Sequence, residues 1–417
     1  MHLRAQTAEL HQRLETLPFF RALQAGHLPK LAIVSFLRSL AILHAVLERE
    51  LSQVASPELA ALVRHARPKG PLLAADLNLL GAESLPSITP AIHSALATAA
   101  EVLANADSPL SLVGTLYVLE GSQNGGIVLK NAYARCLAVD DEQLQSFGCY
   151  GKGTGVHWQE FVRLLNGLSL NDEQAELVAS SAVRCFERLH ALCTALYPFA
   201  DQDLKHHVTA VNVEAGDHAM PQDPLEIALA LRAGRTAWQK YPYLEQRFGE
   251  RGKRFTSSDS CWLVALARMP VETATKNLEW LRTVLASRGI PTVVLEGHLR
   301  AIQEALAKEF PDQIEMRTRY DRFLAGREAQ RRALGNGATL AQLVEQFDRR
   351  LRACAGTTVA SAAALVASAW LDEHGGIHGA LAATRDWFTD AGRFSPDWIA
   401  TVNELVARLD EAGGPSC

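Results

Sequence analysis

Apolar residues recur at every third or fourth position through most of this chain, and they almost nowhere alternate. That period belongs to one face of a helix and not to a strand, so the pattern predicts an all-α protein. In the first half, helices are expected near 3–16, 28–53, 56–66, 87–104, 108–137, 156–167 and 171–198. Breakers separate them: Pro18, the PKGP of 68–71, Ser108-Pro109, and the glycine-rich GCYGKGTG of 148–155. The segment 201–224 is polar, carries three histidines and two prolines, and has no period. It reads as a linker between a domain over 1–200 and a second helical domain over 225–417. His206, His207 and His218 lie in it and read as solvated residues.

In the second half, helices are expected near 225–238, 258–268, 271–288, 292–309, 312–334, 339–354, 357–373, 377–390 and 395–412. Ser257 and Ser258 are candidate caps, Gly289 a helix end, Pro291 a helix start, and Pro311 follows a helix end. No internal repeat is evident.

Several classes are disfavoured. A net charge of -5 gives no sign of a nucleic-acid partner. No run of about 18 uncharged apolar residues suggests a membrane span. The N-terminal MHLRAQTAELHQRLE is polar and does not read as a secretory signal. Seven cysteines, with no CxxC pair, point to a reducing cytoplasm without a disulfide framework or structural zinc.

Two stretches carry chemistry. In LRAQTAELHQRLE, His11 and Glu15 stand four apart on one helical face, with Leu3, Leu10 and Leu14 nearby. A carboxylate one turn below an imidazole can fix its tautomer and make the other nitrogen a better metal ligand. In YVLEGSQNGGIVLK, Gly121, Gly125 and Gly126 interrupt an otherwise good helix former. Each costs roughly 1 kcal/mol relative to alanine. Glycines there let a backbone approach a flat ligand and permit a kink; close helix packing would also explain them.

Together these stretches, with FFRALQAGHLPKLAIVSFLRSLAILHAVLE, resemble the haem oxygenase family, particularly its bacterial, biliverdin-producing branch, over about residues 1–200. The resemblance implies that His11 is the axial ligand of the haem iron and Glu15 its partner. It implies that Gly121, Gly125 and Gly126 pack over the opposite haem face, and that Arg4 meets a propionate. Arg163 is a second basic candidate. Where some members carry an aspartate, this chain has Ser122, followed by Gln123 and Asn124. The implied activity is oxidative cleavage of haem, both substrate and cofactor, to biliverdin, carbon monoxide and iron with O2. Backbone N–H groups and water near Gly121 and Ser122 would handle protons. The chain has no GxGxxG fingerprint, so electrons are expected from a ferredoxin or reductase.

Two alternatives stand beside this. One is a haem- or bilin-binding or sensing protein without turnover, which the Ser122-Gln123-Asn124 set would suit. The other is a di-iron oxidase on the same fold, with His11, His44, Glu48 and Glu120 as candidate ligands. In the second half, the aromatic and basic stretch 241–266 reads as a loop before a helix, either packing or binding an anion. DEHGGIHGAL (372–381) reads as a helix-end turn. The second half fits an accessory, sensory or dimerisation domain, or a docking surface for the electron donor.

Overall fold

The computed structural model describes residues 3–206, 214, 218–333 and 337–413, the side chains of 337–339 and 413 excepted. The chain forms two compact units, Met1–Ala228 and Leu229–Cys417. Both are helical, as the periodicity implied.

In the first unit the helices are α1 (Leu3–Glu15), α2 (Pro18–Gln24), α3 (Lys30–Leu51), α4 (Pro57–His65), α5 (Gly70–Leu79), α6 (Thr89–Ala104), α7 (Pro109–Leu137), α8 (Thr154–Asn166) and α9 (Asp172–Leu196). The short helices α2 and α5 were not anticipated. Pro18 and Pro71 sit in their first turns, where a proline costs no helical hydrogen bond. The residues read as breakers therefore start helices as well as separating them. A minimal antiparallel ribbon, β1 (Ser87–Ile88) with β2 (Leu204–Lys205), ties the start of the expected linker back onto this unit. The rest of that segment, His207 included, lies largely outside the described residues.

The core forms around α3, α6, α7 and α9. Helix α3 is apolar and long enough to cross a membrane by composition, yet most of its most apolar window is buried inside the unit. Helix α7 crosses α9 in backbone contact: a Cβ at Gly114 would collide with the Val178 carbonyl oxygen and stand 2.7 Å from the Ala182 nitrogen. No side chain fits there.

The second unit comprises α11 (Pro242–Leu266), α12 (Val271–Ser287), α13 (Thr292–Glu309), α14 (Ile314–Thr318), α15 (Asp321–Ala333), α16 (Gly337–Arg352), α17 (Ala362–His374), α18 (Ala380–Phe388) and α19 (Pro396–Gly413), entered through α10 (Pro224–Lys240). The stretch expected to be a loop before residue 258 is helical instead, bent at Gly249, whose φ is +50°. Ser257 lies inside α11 and donates to the Lys253 carbonyl, so it caps nothing. Arg247 stacks on Phe248 and donates to Tyr243 Oη, a packing role. Gly289, at φ +80°, follows the end of α12 as expected, and Ile290 N–H closes back onto the Leu285 carbonyl. The start of α13 is capped from a distance: Asp372 accepts from Thr292 N–H (2.9 Å) and from its hydroxyl (2.5 Å). The 372–381 segment is a turn, with Glu373 accepting from the N–H groups of Gly379 and Leu381.

The two kinds of glycine in α7 should separate on substitution. Gly114→Ala should destabilise the first unit by about 2 kcal/mol, through overpacking against α9. Gly125→Ala, with nothing within 4 Å of its added Cβ, should stabilise by up to roughly 1 kcal/mol. Denaturant unfolding followed by circular dichroism checks this; equal shifts would contradict the packing described.

Candidate functional site

Helix α1 packs mainly on α9 and meets α7 at Tyr117, where the candidate site begins. Burial raises the Tyr117 phenol above its ordinary range, while a hydrogen bond with Thr7 and the charge of Arg4 pull the other way. Thr7 and Arg4 of α1 thus stand at Tyr117 of α7. Much further along α7, Arg135 donates to the Gln24 carbonyl of α2 (3.5 Å), and Cys136 Sγ to that of Leu23 (3.8 Å). The chain from α1 to α2 therefore follows α7 in the same sense, over about 27 Å from Tyr117 to Arg135 at 1.5 Å per residue. Beyond the Thr7–Tyr117 contact, His11 comes one turn along α1. Gly121 and Gly125 come one and two turns along α7.

His11 was expected on an apolar side of its helix. It is exposed instead, because α1 buries only Leu3 and Thr7. Its Nδ1 lies 3.7 Å from Glu15 Oε1, too far for a direct hydrogen bond and close enough for a bridging water. Its ring meets Phe186 of α9 edge-on, with centroids 5.8 Å apart. Among the described residues, Nε2 has no hydrogen-bond partner.

Helix α7 runs unbroken through its glycines, without the kink that seemed possible. Its own N–H groups at Gly121 and Ser122 are therefore used inside the helix and are not free for a ligand. The glycines have separate surroundings. Gly121 lies under the Trp158 ring of α8, Gly126 lies against the backbone of Phe147 and Gly148, and Gly125 faces open space. Ser122, Gly125 and Val128 are exposed on α7. Ser122 Oγ donates to the Leu119 carbonyl at 2.7 Å. Gln123 is buried and accepts from Cys149 N–H at 3.2 Å, so its polarity serves the 147–150 loop. Asn124 donates to the Gly121 carbonyl. Arg163 makes a two-pronged pair with Glu160 on an exposed face of α8, and no described contact ties it to His11 or Arg4.

On the other side of α7 lies a buried polar cluster that sequence reading only grazed. Glu120 accepts from Lys69 Nζ (2.8 Å), Tyr150 Oη (2.5 Å) and His157 Nε2 (2.9 Å). Lys69 and Glu120 side chains are only 3% and 2% exposed. The Tyr150 phenol is pushed up by burial and by the Glu120 carboxylate. Burial pushes His157 down, against the pull of Glu120. His157 stacks on Tyr150 and on His65, whose Nε2 bonds the His157 carbonyl oxygen. Burial alone would raise the Glu48 carboxyl; hydrogen bonds from His44 and from the Lys69 and Gly70 backbone outweigh it and hold it below its ordinary value.

This arrangement corrects the metal reading of His44, Glu48, Glu120 and His11. An ammonium occupies Glu120, His44 is bonded to Glu48, and His11 is exposed on α1. Among the described residues no three His, Cys, Asp or Glu side chains are grouped to hold a metal ion.

Residues 1–195 match the family model described as heme oxygenase, the family that the two motifs resemble. No curated protein matches the chain.

Because Lys69 and Glu120 are buried together, removing one partner strands the other. Lys69→Met should cost about 3 kcal/mol in denaturant unfolding. The double variant Lys69→Met/Glu120→Gln should recover part of that loss. A single variant as stable as the wild type would rule out the pair as drawn.

Proposed function

We propose that the first unit binds haem between α1 and the Ser122–Gly125–Val128 face of α7, and cleaves it to biliverdin, carbon monoxide and iron with O2. The observation that carries this reading is the exposed His11, its Nε2 without a hydrogen-bond partner among the described residues, one turn past the Thr7–Tyr117 contact from which the bare Gly125 stands two turns along α7. The heme oxygenase match over 1–195 supports it at the level of the family.

The residues fit a flat, anionic macrocycle. Gly125 leaves the α7 backbone bare, and Val128, 77% exposed, offers apolar surface that has no cover. His11 supplies a neutral nitrogen for iron, and Glu15, through water, orients the ring. Arg4, near Tyr117, supplies positive charge for a carboxylate at that end of the face. Bound haem supplies both the oxygen-activating iron and the ring that is oxidised. The chain's own work is to hold, crowd and hydrate. On the α7 face, Ser122 Oγ keeps lone pairs free to accept a hydrogen bond from an ordered water, although its proton is given to Leu119. Water held there is the proton source.

Electrons come from an external ferredoxin or reductase in this reading. A reducing, cytoplasmic setting belongs to the same reading. The second unit is an accessory domain for dimerisation or donor docking. A binding or sensing role without turnover is the second reading, favoured by one observation: Ser122, where some relatives carry a carboxylate, spends its proton on its own helix.

Hemin titration by absorbance tests the binding geometry. The wild type should give a saturable Soret band. His11→Ala should lose the axial-ligand spectrum, and Gly125→Leu should weaken binding by roughly tenfold or more, about 1.4 kcal/mol, with helicity unchanged. A wild-type spectrum in His11→Ala, or undiminished affinity in Gly125→Leu, would remove the proposed cleft.

A further inference from the structure

The open face of α7 stops at an aromatic ring. A Cβ at Gly121 would stand 3.1, 3.4 and 3.7 Å from Cη2, Cζ3 and Cζ2 of Trp158, whereas one at Gly125 would meet nothing within 4 Å. One turn of helix therefore separates a covered glycine from a bare one. Gly121 serves to seat the indole, and Gly125 is left for a ligand.

The indole is held from several directions. It stacks on Phe161, with centroids 5.5 Å apart and planes 11° from parallel, and Phe161 is fully buried. It leans on Tyr117 at 5.4 Å, the residue at which α1 meets α7. The preceding residue, His157, is bonded to Glu120 of α7 and stacked between Tyr150 and His65. Backbone and side chain are thus both anchored against α7. A ring fixed this way is a wall and not a flap. The residue as a whole remains half-buried.

We infer that Trp158 is the side wall that sets how far a flat ring can lie along α7 toward Tyr117. In haem cleavage it then determines which edge of the macrocycle is presented for oxidation. This rests on the proposed haem reading. Trp158 touches the position of the ligand without taking part in proton or electron transfer, so it is a positioning residue.

Hemin-loaded wild type, Trp158→Phe and Trp158→Ala chains test this, with two readouts: Soret circular dichroism, which reports ring seating without turnover, and the isomer composition of the biliverdin formed with reductant in air. Far-UV circular dichroism checks that each variant is folded. Trp158→Ala should still bind hemin, within about tenfold of wild type, with a changed Soret dichroism and a mixture of biliverdin isomers in place of one dominant isomer. Trp158→Phe keeps an aromatic wall and should stay close to wild type in both. If Trp158→Ala keeps the wild-type dichroism and the wild-type isomer, the inference falls and the haem reading stands. If it binds hemin faster with the same isomer, the ring is a removable cover, and the wall is refuted. If the wild type takes up no hemin, the haem reading falls and the inference goes with it.

Discussion

The carboxylate of Glu120 holds α5, α8 and the loop before α8 in register on α7. It gathers Lys69 at the entry to α5, Tyr150 in the loop before α8, and His157 on α8. Three segments distant in sequence are thereby bound to one turn of α7. A charge buried this deeply is tolerated only with such partners, since desolvation would otherwise outweigh any local gain. The consequence appears on the adjacent residue. With α8 fixed through His157, Trp158 lands on Gly121, and the next turn of α7 is left bare at Gly125.

The glycines of α7 then cease to be one feature. At Gly114 the helix presses against α9, at Gly121 it carries an indole, at Gly126 it meets the 147–148 backbone, and at Gly125 it meets nothing. Each sacrifices roughly 1 kcal/mol of helix propensity. For the first three, close packing returns that cost. For Gly125 nothing among the described residues lies within 4 Å of an added Cβ, which is the pattern expected where the compensating partner is a bound molecule.

Much of the fold was legible because α-helical periodicity and proline punctuation are local signals. The positions of α3, α6, α7 and α9 follow directly from them. Local reading failed where one residue served two purposes. Pro18 and Pro71 both break and begin helices, and Ser257 bonds back within α11 where a cap was expected. In the candidate site, His11, Glu15 and the glycines were visible because each motif is contiguous. The partners of Glu120 were not, since they lie 30 to 51 residues away and only the tertiary fold assembles them. One hint was present: a glutamate inside an apolar helix needs a buried cation, and Lys69 sits beside prolines and glycine that open α5. Gln123 likewise stood beside Ser122 in the motif, yet its bond to Cys149 N–H turns it toward a loop.

The central claim is that this cleft consumes haem and does not merely hold it. The most direct measurement follows the hemin-loaded protein in air after adding ascorbate or a ferredoxin system, with absorbance, carbon monoxide and released iron recorded together. The account predicts that the Soret band decays into a broad red biliverdin band while carbon monoxide and iron appear in equal amounts. A Soret band that persists under reductant and oxygen, with neither product released, would contradict it and leave a protein that binds haem without turning it over.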